Sequence, residues 1–236
     1  MRIKIGVENN YEGRSLAWVL DYPGCFAYGA DGSEAILRVP EALLRYKEWI
    51  DSHLPDSWMK DLADFDIHLE ESYEVFTINE RYELVTDGYE VNAWFRHDWN
   101  PLSAEDIRRG RLILEWSRAD LLDLVASLSP AQLECMFEGE RWSIAGVLGH
   151  IANAEHWYLD RLDLAQGARR DLPRDVFERL HIVRQRMNAV LPELEGMQKV
   201  LGIDGEFWSP RKVIRRSTEH EIDHIDHIFK LIARLG

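Results

Sequence analysis

The chain has 236 residues, a length that fits one large domain or two small ones. Hydrophobic residues make up 46% and charged residues 30%, the mix of a globular protein, which excludes collagen-like, disordered and low-complexity classes. The formal net charge of −14 repels phosphate backbones and anionic lipid surfaces, so we expect neither a nucleic acid nor a membrane as partner.

The cysteines and the amino terminus predict a cytoplasmic protein. Cys25 and Cys135 offer a single pairing, which is no disulfide framework for a chain of this size. The first residues alternate charged and apolar side chains, unlike the apolar core of a signal peptide. No run approaches the ~18 uninterrupted apolar residues of a membrane span.

Short alternating runs, typical of strands, fill the first part of the chain. Strands are predicted over residues 1–7, 16–20, 26–28, 65–69, 75–78 and 89–95. Ser33 is the predicted cap of a helix that Pro40 bends. The buried stripe of this helix is predicted to be Ile36, Val39, Leu43, Tyr46 and Ile50. Residues 1–97, with nine basic and 19 acidic side chains (net −10), are therefore predicted to form an α+β domain, a small antiparallel sheet with a helix.

The pattern after Trp99 predicts four long amphipathic helices. They span about residues 103–126, 143–163, 175–200 with a kink at Pro192, and 210–235. Ser103 and Asp106 resemble a capping box, and Ser129-Pro130 opens a short extra turn. Four apolar stripes with short connections predict an all-α up-down four-helix bundle over residues 98–236.

Histidines occupy the core-facing stripe of the fourth helix. His220, His224 and His227 follow a helical 4-3 spacing at positions where leucines are expected. His220 and His224, at i and i+4, can converge on one ion, whereas His227 lies about 10 Å along the axis from His220. His150, on the second helix, can supply a third ligand from the face shared by Val147, Ala154 and Trp157, whereas His156 lies roughly 240° from His150.

Two other interpretations of these histidines remain open. The imidazoles can be bonded to nearby carboxylates such as Asp223, Asp226 or Glu155 without any metal. The sequence HEIDH (residues 220–224) also matches the H-E-x-x-H signature of zinc proteases. The extended signature needs Gly at 227 and His at 230, where the chain has His227 and Lys230, and no Glu follows residue 224. A protease is therefore the weaker hypothesis.

The two helical motifs, WSIAGVLGHIANAEHW (residues 142–157) and HEIDHIDH (residues 220–227), resemble the DinB-like (YfiT-like) family of four-helix proteins. The resemblance covers about residues 100–236. It implies a divalent metal, zinc, nickel or iron, held by His150, His220 and His224. It also implies a metalloenzyme with a small-molecule, thiol-type substrate, an S-transferase or isomerase using low-molecular-weight thiols.

The amino-terminal segment resembles a second family. Residues 21–25, DYPGC, followed by Gly29 and residues 33–35, SEA, are similar to the HicB-like domain of antitoxin proteins. The resemblance extends over about residues 1–95 and is closest over 1–53. It implies a non-catalytic protein-binding module, and the net charge of −10 fits a basic protein partner.

Three histidine ligands leave an open position on a metal, where water or a thiol can be activated. The reaction type expected is thiol transfer or hydrolysis, and the catalytic residue is unknown, with Glu221, Asp226 and His227 as candidates. Glu221 lies about 100° from His220, a direction that can face solvent. The alternative is a HicB antitoxin-like binding protein with a structural metal or none. A homodimer through an apolar face of the bundle is a further expectation.

Overall fold

The computed structural model of the chain describes residues 1–235 and divides into two compact units. The first comprises Met1–Asn100 and Val200–Arg215, and the second comprises Pro101–Lys199 and the chain from Arg216 onward. The sequence predicted two contiguous domains with a boundary between residues 97 and 98. The observed first unit differs, because residues 200–215 return to it from the carboxyl-terminal half of the chain. None of the described helices combines the length and the apolar character that crossing a bilayer requires.

A four-stranded sheet forms the core of the first unit. Its strands are β1 (Arg2–Tyr11), β2 (Arg14–Val19), β3 (Phe26–Gly29) and β4 (Asp66–Glu74), in the order β3-β2-β1-β4. Glu12 and Gly13, both with positive φ, form the two-residue hairpin turn between β1 and β2. The prediction of an antiparallel sheet is wrong at β4, which runs parallel to β1. The chain reaches β4 through a helix, the type of connection that parallel strands require.

That helix, α1 (Gly32–His53), begins two residues earlier than the sequence predicted. Its cap is Asp31, not Ser33, because the Asp31 carboxylate accepts a hydrogen bond from the Glu34 amide at 2.9 Å. The buried stripe is as predicted from Val39 to Ile50, with Ala35 fully buried in place of Ile36.

Two small hairpins complete the first unit. Strands β5 (Phe76–Ile78) and β6 (Tyr89–Val91) pair with each other, as do β7 (Leu201–Ile203) and β8 (Glu206–Trp208). The predicted strand over 89–95 is too long, because it ends at Val91. The second hairpin was not predicted.

The second unit is mostly helical. Its helices are α2 (Ala104–Val125), α3 (Pro130–Leu133), α4 (Ile144–Asp160), α5 (Val176–Val190) and α6 (Pro210–Ile232), of which α6 contributes its residues from 216 onward. The capping box of Ser103 and Asp106 is confirmed. The predicted third helix over 175–200 is too long, because α5 ends at Val190 and a 3₁₀ turn containing Pro192 follows. One apolar core includes buried side chains from α2, α4, α5 and α6, such as Leu121, Leu148, Val183 and Ile228.

A buried ion pair connects the end of the amino-terminal segment to the first turns of α6 within the first unit. The Asp98 carboxylate accepts hydrogen bonds from Arg215 at 2.7 and 3.0 Å and from the Phe95 amide at 2.9 Å. The Arg215 guanidinium also lies 4.4 Å from the centre of the Trp18 ring. Burial acts to raise the pKa of Asp98, but the charge and hydrogen bonds of Arg215 outweigh burial and hold the pKa below its ordinary 3.8.

We predict that Asp98→Asn lowers the stability of the first unit and that the loss depends on pH. The folded-state pKa lies below the unfolded one, so the stabilisation by the carboxylate is complete above the unfolded pKa and disappears as pH falls through the folded value. Urea unfolding followed by tryptophan fluorescence should show a constant difference between wild type and variant at pH 5–7. That difference should shrink below about pH 3.8. A difference independent of pH down to 2.5 would contradict this account.

Candidate metal centre

Helices α4 and α6 bring His150, His220 and His224 together. One ring nitrogen from each histidine lies within 4.8 Å of the other two. The Nε2 atoms of His150 and His220 are 3.0 Å apart. Ser143 caps α4 by accepting a hydrogen bond from the Gly146 amide, and His150 lies one turn further along this helix. The i, i+4 spacing on α6 brings the rings of His220 and His224 to 4.5 Å between centroids.

The electrostatics of the three histidines suit a cation. Burial, and then the neighbouring histidines, lower the pKa of His220 well below 6.5 and that of His224 to about 3. Burial lowers the pKa of His150 as well, with a smaller effect from the charge of Arg141. Neutral imidazoles are the form that binds a metal. The buried Nδ1 of His224 forms no hydrogen bond within the described residues. Three neutral imidazoles, of which His224 has a buried nitrogen without a hydrogen bond, fit a divalent ion such as zinc, nickel or iron(II).

Aromatic rings enclose the group. The Trp142 ring stacks on the His150 ring, with centroids 4.5 Å apart and planes at 23°. Gly146 permits this placement, because a Cβ there would lie 2.9 Å from Trp142. The Tyr158 ring meets His220 edge-on at 5.9 Å.

The other histidines lie outside the group. His227 has its ring 5.8 Å from that of His224, and its Nε2 lies 3.1 Å from the Glu140 carboxylate. It therefore lies beside the three histidines and is not one of the group. His156 is buried on α4 and does not join the group.

Glu221 faces the protein interior, and the expectation that it can face solvent is wrong. Its carboxylate accepts hydrogen bonds from Arg118 at 2.7 Å and from Arg184 at 2.5 Å. Glu155 binds the same two arginines, each at 2.7 Å. We call these four residues the buried ion network. Its two positive and two negative side chains come one each from α2, α4, α5 and α6. Glu221 can join this network because the rotation of 100° per residue in a helix turns its side chain away from the neighbouring His220.

The two arginines of the network hold Glu155 ionised. Burial acts to raise the pKa of Glu155, but Arg184 and Arg118 outweigh it and hold the pKa below 4.5. Glu221 is committed to two buried guanidinium groups, so it is poorly placed to transfer protons at the histidines. Asp226, another catalytic candidate, is exposed and pairs with Lys230. The third candidate, His227, has its ring 5.8 Å from the ring of His224.

Sequence reasoning missed Arg118, Arg184 and Trp142. The helical spacing could have predicted that the two arginines are buried. Arg118 lies four residues after the buried Leu114, and Arg184 lies four residues after the buried Leu180, so each arginine falls on the buried stripe of its helix. Trp142 precedes α4, so no helical spacing relates it to His150.

The family comparison agrees with the resemblance in the helical half. A model described as the DinB superfamily matches residues 113–228, just under half of the chain, which supports the assignment of this segment to DinB-like proteins. The match includes all three histidines. No curated protein and no solved structure matches the chain.

We predict that Glu221→Ala destabilises the second unit by about 3–5 kcal/mol, because it leaves two guanidinium groups buried without one of their carboxylates. The matched control is Glu115→Ala, which removes the exposed partner of Arg111 on α2 and should cost about 0.5 kcal/mol. Chemical unfolding followed by circular dichroism compares the two. Equal losses in the two variants would show that the buried ion network contributes no more than a surface pair.

Proposed function

We propose that the protein is a DinB-like metalloprotein in which His150, His220 and His224 hold one divalent ion, zinc, nickel or iron(II). The observation that carries the proposal is the convergence of three neutral imidazole nitrogens within 4.8 Å, on helices that match the family model. Metal–nitrogen bonds of about 2.0–2.1 Å place the ligands of one ion about 3–3.4 Å apart. The 3.0 Å separation of the His150 and His220 nitrogens fits that range.

We infer that the four long helices α2, α4, α5 and α6 form an antiparallel bundle around this site. They share one apolar core, and each contributes one charge to the buried ion network. Such an arrangement holds α4 and α6, which supply the ligands, at a fixed spacing.

The proposed activity is that of a metalloenzyme that activates a thiol or a water molecule, of the S-transferase or hydrolase type. When bound, the ion lowers the pKa of such a ligand and supplies a nucleophile at neutral pH. The chain's own contribution is to hold three imidazoles neutral by burial and to orient His150 by stacking against Trp142. His227, fixed by Glu140, is the group that can exchange a proton beside the site.

We predict that the purified protein carries about one equivalent of zinc, nickel or iron, and that His150→Ala and His224→Ala each lose it while the helical content stays unchanged. Each variant removes one of three nitrogen donors. Elemental mass spectrometry of protein prepared without a His tag or chelator provides the measurement.

His227→Ala is the matched control, since it removes a histidine of the same helix face that lies outside the group. It should retain the metal. Full retention in His150→Ala or His224→Ala would overturn the proposed site, and so would absence of metal from the wild type after reconstitution.

A second candidate function is that of a protein-binding module in the HicB-like segment. The strand β4 lies at an edge of the sheet and presents Asp66, Glu70 and Glu74 on exposed positions. An open acidic edge favours a basic partner that adds a strand. Affinity capture with the full chain should then recover one small basic protein, which the charge reversal Glu70→Lys should release. Recovery of the same protein by both forms would exclude β4 as the binding surface.

A further inference from the structure

The loop between α3 and α4 places a cationic side chain beside the histidine group. The Arg141 guanidinium carbon lies 4.6 Å from the centre of the Trp142 ring, which in turn stacks on His150 at 4.5 Å. Together these distances keep the guanidinium within about 9 Å of the His150 ring. Arg141 is exposed, and within the described residues it forms no hydrogen bond or ion pair. Its donors are therefore available to a ligand.

This loop is attached to α6, which gives Arg141 a defined position. Glu140 is held between His227 at 3.1 Å and Arg234 at 2.9 Å. Arg234 also donates to the Glu138 carbonyl at 3.0 Å and lies over the Phe137 ring. The residues on both sides of Arg141 are thus anchored, Glu140 to α6 and Trp142 to His150.

Positive side chains lie near two of the three histidines. The charge of Arg141 lowers the pKa of His150, and that of Arg216 lowers the pKa of His220. Arg216 lies 4.0 Å from the Glu219 carboxylate, whereas Arg141 has no carboxylate partner among the described residues. Glu140, the nearby acid, is already paired with His227 and Arg234. A ligand that enters this environment gains most if it is negatively charged.

We propose that the exogenous ligand of the histidine site is a small molecule that carries a carboxylate in addition to its metal-binding atom, and that Arg141 is the residue that recognises this carboxylate. A guanidinium offers a planar pair of N–H donors that matches a carboxylate. The Trp142 ring supports the guanidinium from one face and leaves the donor edge open. This inference rests on the proposed function, because it requires a metal at the three histidines.

The test compares two thiols that differ in charge, 4-mercaptobutyrate and 4-mercapto-1-butanol, as ligands of the cobalt(II)-loaded full chain. Their chains are too long for a five-membered chelate ring on the metal, so the carboxylate is free to reach Arg141. Binding is followed by the visible absorption of cobalt, a readout that needs no catalysis. In Arg141→Gln we expect the affinity for 4-mercaptobutyrate to fall by about tenfold, the typical effect of losing a charged hydrogen bond, while the affinity for 4-mercapto-1-butanol stays constant. Comparing each thiol across variants cancels the intrinsic difference between the two thiols.

Arg170→Gln is the matched control, because Arg170 is an exposed arginine of the same unit whose side chain is 88% accessible. It should leave both affinities unchanged. The proposal is overturned if Arg141→Gln weakens both thiols equally, weakens neither, or has the same effect as Arg170→Gln. A wild type that binds no cobalt would instead refute the proposed function itself, and the two failures are therefore distinguishable.

Discussion

Three half-buried imidazoles meet between α4 and α6, and their polar nitrogens need partners in this position. Burial without polar partners costs free energy, and within the described residues no carboxylate hydrogen-bonds to the ring nitrogens of His150 and His220 that face each other. The proposed cation, shared by three nitrogens, would satisfy all of them at once. The stacked Trp142 and the edge of Tyr158 surround the group, so the ligand nitrogens are pre-arranged on rigid helices.

The buried ion network explains how two helices are held at the spacing that these histidines need. Glu221 directly follows His220, and Glu155 lies five residues after His150. Both carboxylates bind the same pair of arginines from α2 and α5, so charge-assisted hydrogen bonds fix the backbone next to His220 and the α4 segment that follows His150. The residue that follows the first histidine of the H-E-x-x-H match therefore has a structural role here, which also removes the general base that a zinc protease would require.

The sequence predicted most of the fold that depends on periodicity and local capping, although it placed the cap of α1 at Ser33 and not at Asp31. The start of α2 at its capping box, the start of α4 at Ser143 and the stripe of α1 follow from spacing and hydrogen-bonding residues alone. The convergence of His150 with His220 and His224 followed from helical geometry. The parallel pairing of β4, the hairpin of β7 and β8 and the stacking of Trp142 depend on contacts between distant segments, which no local pattern encodes. The direction of Glu221 could not be fixed without knowing that two arginines lie opposite it.

X-ray absorption spectroscopy of the zinc-loaded protein can show whether three histidine nitrogens bind one ion. We expect nitrogen or oxygen neighbours at about 2.0–2.1 Å with the outer-shell scattering of about three imidazole rings. His227→Ala should leave that spectrum unchanged. A sulfur shell at about 2.3 Å, or a spectrum without imidazole scattering, would contradict the account.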